Sequence, residues 1–466
     1  MRKAHILICG GLVVLLATAA GAATVFVPAD YPTIQQAIDG SVAGDQIIVS
    51  PGTYEEQLVL AKDVTVTGSG PGVTVVRSPD TLTEYFTTSA NNYPVVYFTG
   101  TLNAVVEELT VDGAGKGNAN SRFIGVGFYN AGGSLLNCTV TDVRDTPFSG
   151  AQHGVGIYAY SDGGGYPTHN VLLSRCRVTD YQKAGIVMNG TQLLGTVTEC
   201  IVSGAGQTSV TAQNGIQFGY GCSGMVNTCQ VRDHSYTGAS WTASGILAYQ
   251  AGNLDVVSCP QIAHNQMGAY FVMTSGTFTD NTLYSGALGQ GAGGSYWGLG
   301  VDREGAHSPA PAVWTEDLLP PLAGRSTTTV LVNSCSFAGD GTGSGTGIGA
   351  WAQNGDNVSL SVDTCDITQW TWGVEVWDDG SAAASVGVHS CCIRSNTSEG
   401  VVNYTATDVI ATNNWWGSTS GPSGEGPGTG DAVSTGVVFA PWLSYNPCNP
   451  VSVEDVSWGR VKGFYR

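Results

Sequence analysis

Charge is scarce in this 466-residue chain, where only 11% of residues are Asp, Glu, Lys or Arg. Basic residues are the scarcer sign, 17 against 36 acidic, which leaves a formal charge of −19. That balance excludes nucleic acid as an expected partner, because neutralising phosphates needs clustered Lys and Arg. Histidine is sparse and scattered at 7 residues, and no Cys-x-x-Cys pair occurs, so the spacing of a zinc site is missing. With 5 methionines the chain also lacks the soft-ligand surface of a metal carrier. Long apolar runs are confined to the start. Beyond residue 23 nothing approaches the roughly 18 uninterrupted apolar residues of a spanning helix.

That start reads as processing information. Arg2 and Lys3 precede an apolar stretch from Ile6 to Ala17 and a small-residue site at Ala20-Gly21-Ala22. Residues 1–23 are therefore expected to be a secretory signal, and the chain is expected to be secreted or held at the cell surface, the periplasm being the other destination such a signal serves. Cys9 lacks the small residues that precede a lipidated cysteine.

Glycine, by contrast, is abundant at 66 residues, and it is periodic. Gly-(Ile/Val) recurs at Gly185, Gly215 and Gly245, then at Gly347, Gly373 and Gly400, with a weaker copy at Gly268. Cys-x-(Val/Ile) or a close variant recurs between them at Cys138, Cys176, Cys200, Cys229, Cys259, Cys335, Cys365 and Cys392. A repeat of this length is one supersecondary unit stacked many times, each copy unable to bury its apolar side alone. Short Val/Ile/Thr/aromatic runs between glycines make the unit a β-coil and the fold all-β. Eight of the 12 cysteines then share one slot, which predicts a ladder of buried thiols, although coils about 4.8 Å apart would also admit disulfides. Cys222, Cys391 and Cys448 fall outside that slot.

The first mature residues alternate like strands at Val25–Val27, Gln46–Val49, Leu58–Leu60, Val64–Thr67 and Val73–Val76. They enclose an amphipathic Thr33-Ile-Gln-Gln-Ala-Ile38 helix that Asp30 or Thr33 would cap. A solenoid needs such a lid to keep its open edge from pairing with another chain. The string Tyr31-Pro-Thr-Ile-Gln, Gly44-Asp45, Pro51-Gly-Thr-Tyr54 and Val64-Thr-Val66 resembles the opening of right-handed parallel β-helix proteins, the pectin lyase-like superfamily. Asn413-Asn-Trp-Trp-Gly417 with Pro441-Trp442 resembles their last coil. The resemblance implies a single-stranded right-handed parallel β-helix solenoid of about ten coils with a short N-terminal capping helix. The implied organisation is a signal at 1–23, a cap and first coils at 24–78, and the helix at 79–445. A long insertion near 284–328 interrupts it, carrying Asp302, Arg303, Glu304, His307, Trp314, Glu316 and Asp317, and a C-terminal tail follows at 446–466.

Side chains alternate faces along a strand, and aligning coils on their glycines predicts the inward set Val155, Ile157, Ile246, Ala248, Val374, Val376, Val401 and Asn403. The fourth residue after each glycine then points outward: Tyr129, Tyr158, Asn189, Gly219, Tyr249, Val272, Trp351, Trp377 and Tyr404. Stacked aromatics can stabilise neighbouring rungs or lie beneath loops. Exposed, they would be a platform for sugar rings, with Glu375, Asp378 and Asp379 supplying polar contacts. A second file, Asp142, Asp180 and Asp233, has Arg144, Asp145, Lys183, Arg232 and His234 nearby. It reads either as a polar ladder at a turn, which is favoured, or as acid–base groups of a lyase or hydrolase.

Motifs of the family's enzymes do not transfer. Pro79-Asp80-Thr81-Leu82 and Gln152-His153-Gly154 match esterase and polygalacturonase signatures only in part, so no catalytic residue is carried over. The expectation is a monomeric carbohydrate-binding protein that recognises an extended polysaccharide or cell-surface glycan. Its alternatives are a polysaccharide lyase or glycoside hydrolase acting on acidic polysaccharide, and a structural or adhesive surface protein. No cofactor is called for, Ca2+ being the one cation that acidic-glycan chemistry would recruit.

Overall fold

The computed structural model describes residues 21–164, 167–238, 240–285, 296–302, 327–342 and 345–448. The signal up to residue 20, most of the expected insertion with its residues from Arg303 to Asp317, and the tail beyond 448 lie outside the described residues, whereas Asp302 is described and buried.

Three long sheets run side by side, and consecutive strands step from one to the next. One coil passes through Leu193–Thr198 in a back sheet, Ile201–Thr208 in a side sheet and Asn214–Gly219 in a front sheet, then returns to the back at Ser223–Asn227. The back sheet has 15 strands, the front sheet 15 counting the antiparallel Phe86–Thr87, and the side sheet 12, so the count runs past the roughly ten coils expected. Short strands at both ends add to the count, Gly52–Glu55 and Thr74–Arg77 in the side sheet and Val409–Ile410 and Val437–Val438 in the back sheet. The pairing between named strands is parallel except for one short antiparallel contact, Phe86–Thr87 against Asn91–Asn92. This is the right-handed parallel β-helix that the sequence implied.

Like residues sit above like. Ile157 pairs with Ile186, Ile186 with Ile216 and Ile216 with Ile246, all wholly buried in one continuous core. A parallel sheet closed on itself in this way buries one face completely, so apolar side chains must fill the bore at every rung.

The glycine period has a steric cause. A Cβ on Gly125 would lie 2.5 Å from the carbonyl oxygen of Gly156, and the same clash repeats from Gly156 to Gly185, Gly215, Gly245, Gly268, Gly298, Gly347, Gly373 and Gly400. At each, the missing side chain would also point toward the core, as Gly156 does at Val178 and Gly215 at Val231. Two successive residues therefore face inward, and the alternation resets there. For this reason Val155 is not inward as expected. It sits one residue before the ladder glycine Gly156 and packs outside, with Tyr158 and Tyr160.

The cysteine slot is a free-thiol ladder: Cys138, Cys176, Cys200, Cys229, Cys259, Cys335 and Cys365 are buried and unbridged. Its last thiol is Cys391 rather than Cys392, since Cys365 N–H meets Cys391 Sγ at 3.3 Å. Asn281 and Asn414 occupy the same slot, their Oδ1 atoms accepting from Cys259 N and Cys391 N at 2.9 Å. A small side chain that satisfies the backbone of the coil below is what this corner requires, and both residue types supply it. Cys392 instead points outward and forms a disulfide with Cys448, Cα–Cα 6.1 Å, which ties the closing segment to the last side-sheet strand.

At the other end Thr33 caps the helix Ile34–Gly40 by accepting from Gln36 N–H at 3.2 Å. Glu56 accepts the next two free amides, Ile34 and Gln35, at 3.0 Å each. A carboxylate on a helix N-terminus is favourable for its charge as well as its hydrogen bonds, and Ile34, Ala37 and Ile38 bury against the first coil. The expected insertion is not one excursion: Trp297–Asp302 is a front-sheet strand between Met267–Val272 and Thr346–Ala352. Among the described residues no helix is long and apolar enough to cross a membrane.

Candidate functional site

Three outward files run along the front sheet. The first is the residue before each ladder glycine, such as Ala184, Asn214, Ser244, Met267, Trp297, Thr346, Trp372 and Glu399. The middle file includes Gly127, Tyr158, Val187, Gln217, Leu247, Tyr270, Gly300, Gly349 and Glu375. The third is Tyr129, Tyr160, Asn189, Gly219, Tyr249, Val272, Asp302, Trp351 and Trp377. Tyr404 continues it, its N–H bonding Val376 O at 2.9 Å.

Tyr158 thus stands in the middle file and not in the expected one. The error comes from counting from Gly154; the ladder glycine is Gly156, which puts Tyr160 in the third file. The other expected aromatics share that file. They do not form an open stripe, because Tyr158 and Trp351 are 1% and 3% exposed.

Two separate clusters replace the stripe. Toward the N-terminus Phe86 lies across the front face where Gly127 leaves room, stacked on Tyr129 and Tyr97 and tilted against Tyr158. Its segment is held by Arg122, whose guanidinium donates to Thr88 Oγ1 at 3.2 Å and Ser89 Oγ at 2.9 Å. A polar saddle follows, with buried Asn189, Asn214, Gln217 and Ser244; Gln217 Nε2 donates to Asn189 Oδ1 at 3.2 Å.

The second cluster holds Tyr249, Tyr270, Trp297, Trp351 and Trp377. The Trp351 ring folds back over Gly349 and Gly300 and meets Tyr270 edge-on at 6.5 Å. Tyr270 OH donates to buried Asp302 at 2.6 Å.

At its C-terminal margin this cluster opens to solvent. Trp372 and Trp377 are half-buried and Tyr404 is 54% exposed. Two carboxylates stand among them. Glu375 accepts from Thr346 Oγ1 at 2.9 Å and is also bonded by Trp351, while burial pushes its carboxyl above the ordinary range. Glu399 accepts from the Trp372 indole N–H at 2.9 Å and from Ser398. Burial and then the charges of both glutamates raise the Tyr404 phenol. Trp372 and Glu399 were missed in the sequence, although each immediately precedes a periodic glycine. Asp378 and Asp379 are used locally instead. Asp378 accepts from Gly380 N–H at 3.0 Å; Asp379 accepts from Asn354 and Ser381 N–H at 2.8 and 2.9 Å, which holds its carboxyl down at about 2.

The aspartate file is a turn ladder: Asp142, Asp180 and Asp233 have φ of 52, 52 and 69°, and Gly113 and Gly204 occupy the same corner. Asp142 additionally lines a charged groove of about 500 Å³ with Glu55, Arg77, Asp112, Lys116 and Arg144. Its cations are already paired, Arg77 with Asp112 and Arg144 with Asp142, both at 2.9 Å. The groove belongs to the first side-sheet rungs, far along the axis from Glu375. Among the described residues no group of three His, Cys, Asp or Glu side chains could hold a metal ion.

The family described as right handed beta helix region matches residues 52–212 and 124–300, together more than half of the chain. No curated protein matches it. Among solved structures it is similar to the pre-mature gene product 12 of bacteriophage phi29, at 12% identity and TM-score 0.40 over 86% of this chain, but it spans only 56% of that protein. It is also similar to the Dettilon tailspike protein, at 13% identity and TM-score 0.45, covering 90% of this chain and 68% of the tailspike. A third is the A-module of mannuronan C-5 epimerase AlgE6 of Azotobacter vinelandii, at 14% identity and TM-score 0.35, covering 88% and 94%. At these identities the likeness concerns the fold alone.

Proposed function

Because this chain belongs to the right-handed β-helix family, whose coils bring outward side chains into files, we propose that it is a secreted carbohydrate-binding protein gripping an extended glycan at the C-terminal end of its front sheet. Trp372, Trp377 and Tyr404 supply the ring faces; Glu375 and Glu399 accept hydrogen bonds from sugar hydroxyls. One observation carries the reading: Trp377 and exposed Tyr404 follow one another in one file beside Glu375, whose carboxyl burial raises above its ordinary range. Successive rungs about 4.8 Å apart suit a chain of rings lying along the axis. Sugar C–H faces pack on such rings, and a carboxylate offers several acceptor positions to hydroxyls. The net charge of −19 disfavours polyanionic chains.

The raised carboxyl of Glu375 favours a second reading, glycoside hydrolysis with Glu375 as general acid and Glu399 as its partner carboxylate. No basic side chain is a described partner of either glutamate, so neutralisation of a substrate carboxylate, as a lyase requires, has less support. A glycan array probed with the full mature chain separates these readings. Binding lost in Trp377→Ala and Tyr404→Ala without reducing-end products supports recognition alone. Products abolished by Glu375→Gln support hydrolysis. Unchanged array binding in both aromatic variants would overturn the site.

A further inference from the structure

Basic side chains number only 17 in this chain, yet three of them, Arg77, Lys116 and Arg144, line the groove of about 500 Å³ on the first side-sheet rungs. Glu55, Asp112 and Asp142 line it as well, so the fixed charges of its wall cancel. Its volume is in the range of clefts that hold small ligands. The side chain of Arg77 is 45% exposed and Glu55 is exposed, so both are open to a solute.

Glu55, Arg77 and Asp112 follow one another on adjacent strands in one outward file. Arg77 leans toward Asp112, giving Nε to Oδ2 at 2.9 Å, and the other oxygen of Asp112 is fixed by Ala114 N–H at 2.8 Å. That pairing holds the guanidinium still but spends only its Nε. Among the described residues the two terminal nitrogens of Arg77 have no partner, and Glu55 accepts no hydrogen bond and enters no ion pair. Arg144 is spent by comparison: Nε and Nη2 meet Asp142 Oδ1 at 3.1 and 2.9 Å, and Nη1 donates to Asp145 O at 3.3 Å. Lys116 is paired with Asp80, whose hydrogen bond raises its ammonium, and the charges of Glu55 and Arg77 reach it too.

What remains is a fork of donors and a carboxylate one rung, about 4.8 Å, apart. The free edge of a fixed guanidinium suits a planar carboxylate, which takes two parallel N–H···O bonds. Glu55 suits an ammonium. A simple anion would gain the fork but face Glu55, and a simple cation would gain Glu55 but face Arg77 and Lys116. A small zwitterion satisfies both ends and meets neither repulsion.

We propose that this groove binds a free α-amino acid, its carboxylate on Arg77 Nη1 and Nη2 and its ammonium on Glu55. Both charges of such a ligand sit on one carbon, a span that a single rung accommodates. The groove lies far along the axis from Trp377 and Tyr404 and does not depend on glycan binding there.

The test is isothermal titration of the full mature chain with L-alanine, L-serine and L-leucine, each also as its N-acetyl and its carboxamide derivative. Glycerophosphoethanolamine serves as a longer zwitterion for contrast. At least one of the three amino acids binds, and deleting either of its charges weakens it at least about tenfold, the worth of one charge-assisted hydrogen bond. Arg77→Lys keeps the positive charge but loses the fork, and it weakens the amino acid by a similar factor. Glu55→Gln does so too, and in that variant N-acetylation makes little further difference, because both changes delete the same contact. Both residues are exposed, so the variants melt close to the parent. Absence of binding by all three amino acids, equal binding of the N-acetyl or carboxamide forms, or indifference to either substitution would each overturn the proposal. Tighter binding of glycerophosphoethanolamine would overturn it as well, by assigning the groove to a zwitterion with more widely separated charges.

Discussion

Phe86 lies face to face on Tyr129, ring centroids 4.8 Å apart and planes within 15°, so part of the chain itself occupies the aromatic surface at the N-terminal end of the front sheet. Removing that ring with Phe86→Ala should cost about 3–5 kcal/mol of local packing. The loss should appear as faster amide exchange over residues 82–93, because the short antiparallel contact has little else apolar beneath it. Unchanged exchange there would mean that the hydrogen bonds of Arg122, Asn92, Asn120 and Gln57 hold the segment without the ring.

The glycine ladder makes a sharper demand. Gly215→Ala places a methyl 2.5 Å from Gly245 O and 2.6 Å from Val231 Cγ1, with a rigid backbone on one side. The expected loss is about 1–3 kcal/mol or more, seen as a lower denaturant midpoint at an unchanged slope.

Glu375 should trade stability for function. Its folded carboxyl titrates above the ordinary 4.5, so its contribution is fully present below that pH and is lost as pH rises through the raised value. Glu375→Gln should therefore melt higher than the parent at pH 7, with the difference shrinking as the pH falls from 7 toward 4.5. A constant difference across that range would assign the effect to packing rather than charge.

Lys183 behaves in the opposite sense to a carboxylate. Burial lowers its ammonium from 10.5 to about 7, and Nζ donates to Ala212 O at 2.8 Å. With a depressed folded value, its stability contribution is complete above 10.5 and declines as pH falls through about 7. Lys183→Met should thus stabilise the chain at pH 6 by up to a few kcal/mol, less about 1 kcal/mol for the orphaned carbonyl. Melting temperatures of the two proteins should converge as the pH is raised toward 10. Divergence with rising pH would contradict the assignment.

Much of the fold is legible in the sequence, for local reasons. Gly185, Gly215 and Gly245 recur because each rung meets the same carbonyl of the next, and Cys138 to Cys365 recur because each corner has the same small space. Phase was less secure. Two glycines, Gly154 and Gly156, compete in one coil, and choosing the wrong one moved Tyr158 into a file that belongs to Tyr160. Adjacent Cys391 and Cys392 pose the same ambiguity, and the contacts of Cys391 with Cys365 and Asn414 and the disulfide of Cys392 show which of them faces the core.

By itself the sequence determined that this chain coils, where each coil turns, and which residue types meet the bore, since those properties repeat within about 30 residues and depend on neighbours one rung away. Whether an outward aromatic reaches solvent was decided only by the tertiary structure. Phe86 comes from two rungs earlier to cover Tyr158, Trp351 folds flat because Gly300 and Gly349 make room, and Tyr404 is left open at the end of its file. Those outcomes depend on contacts between residues far apart in the chain and on single gaps in neighbouring coils, which no periodicity encodes.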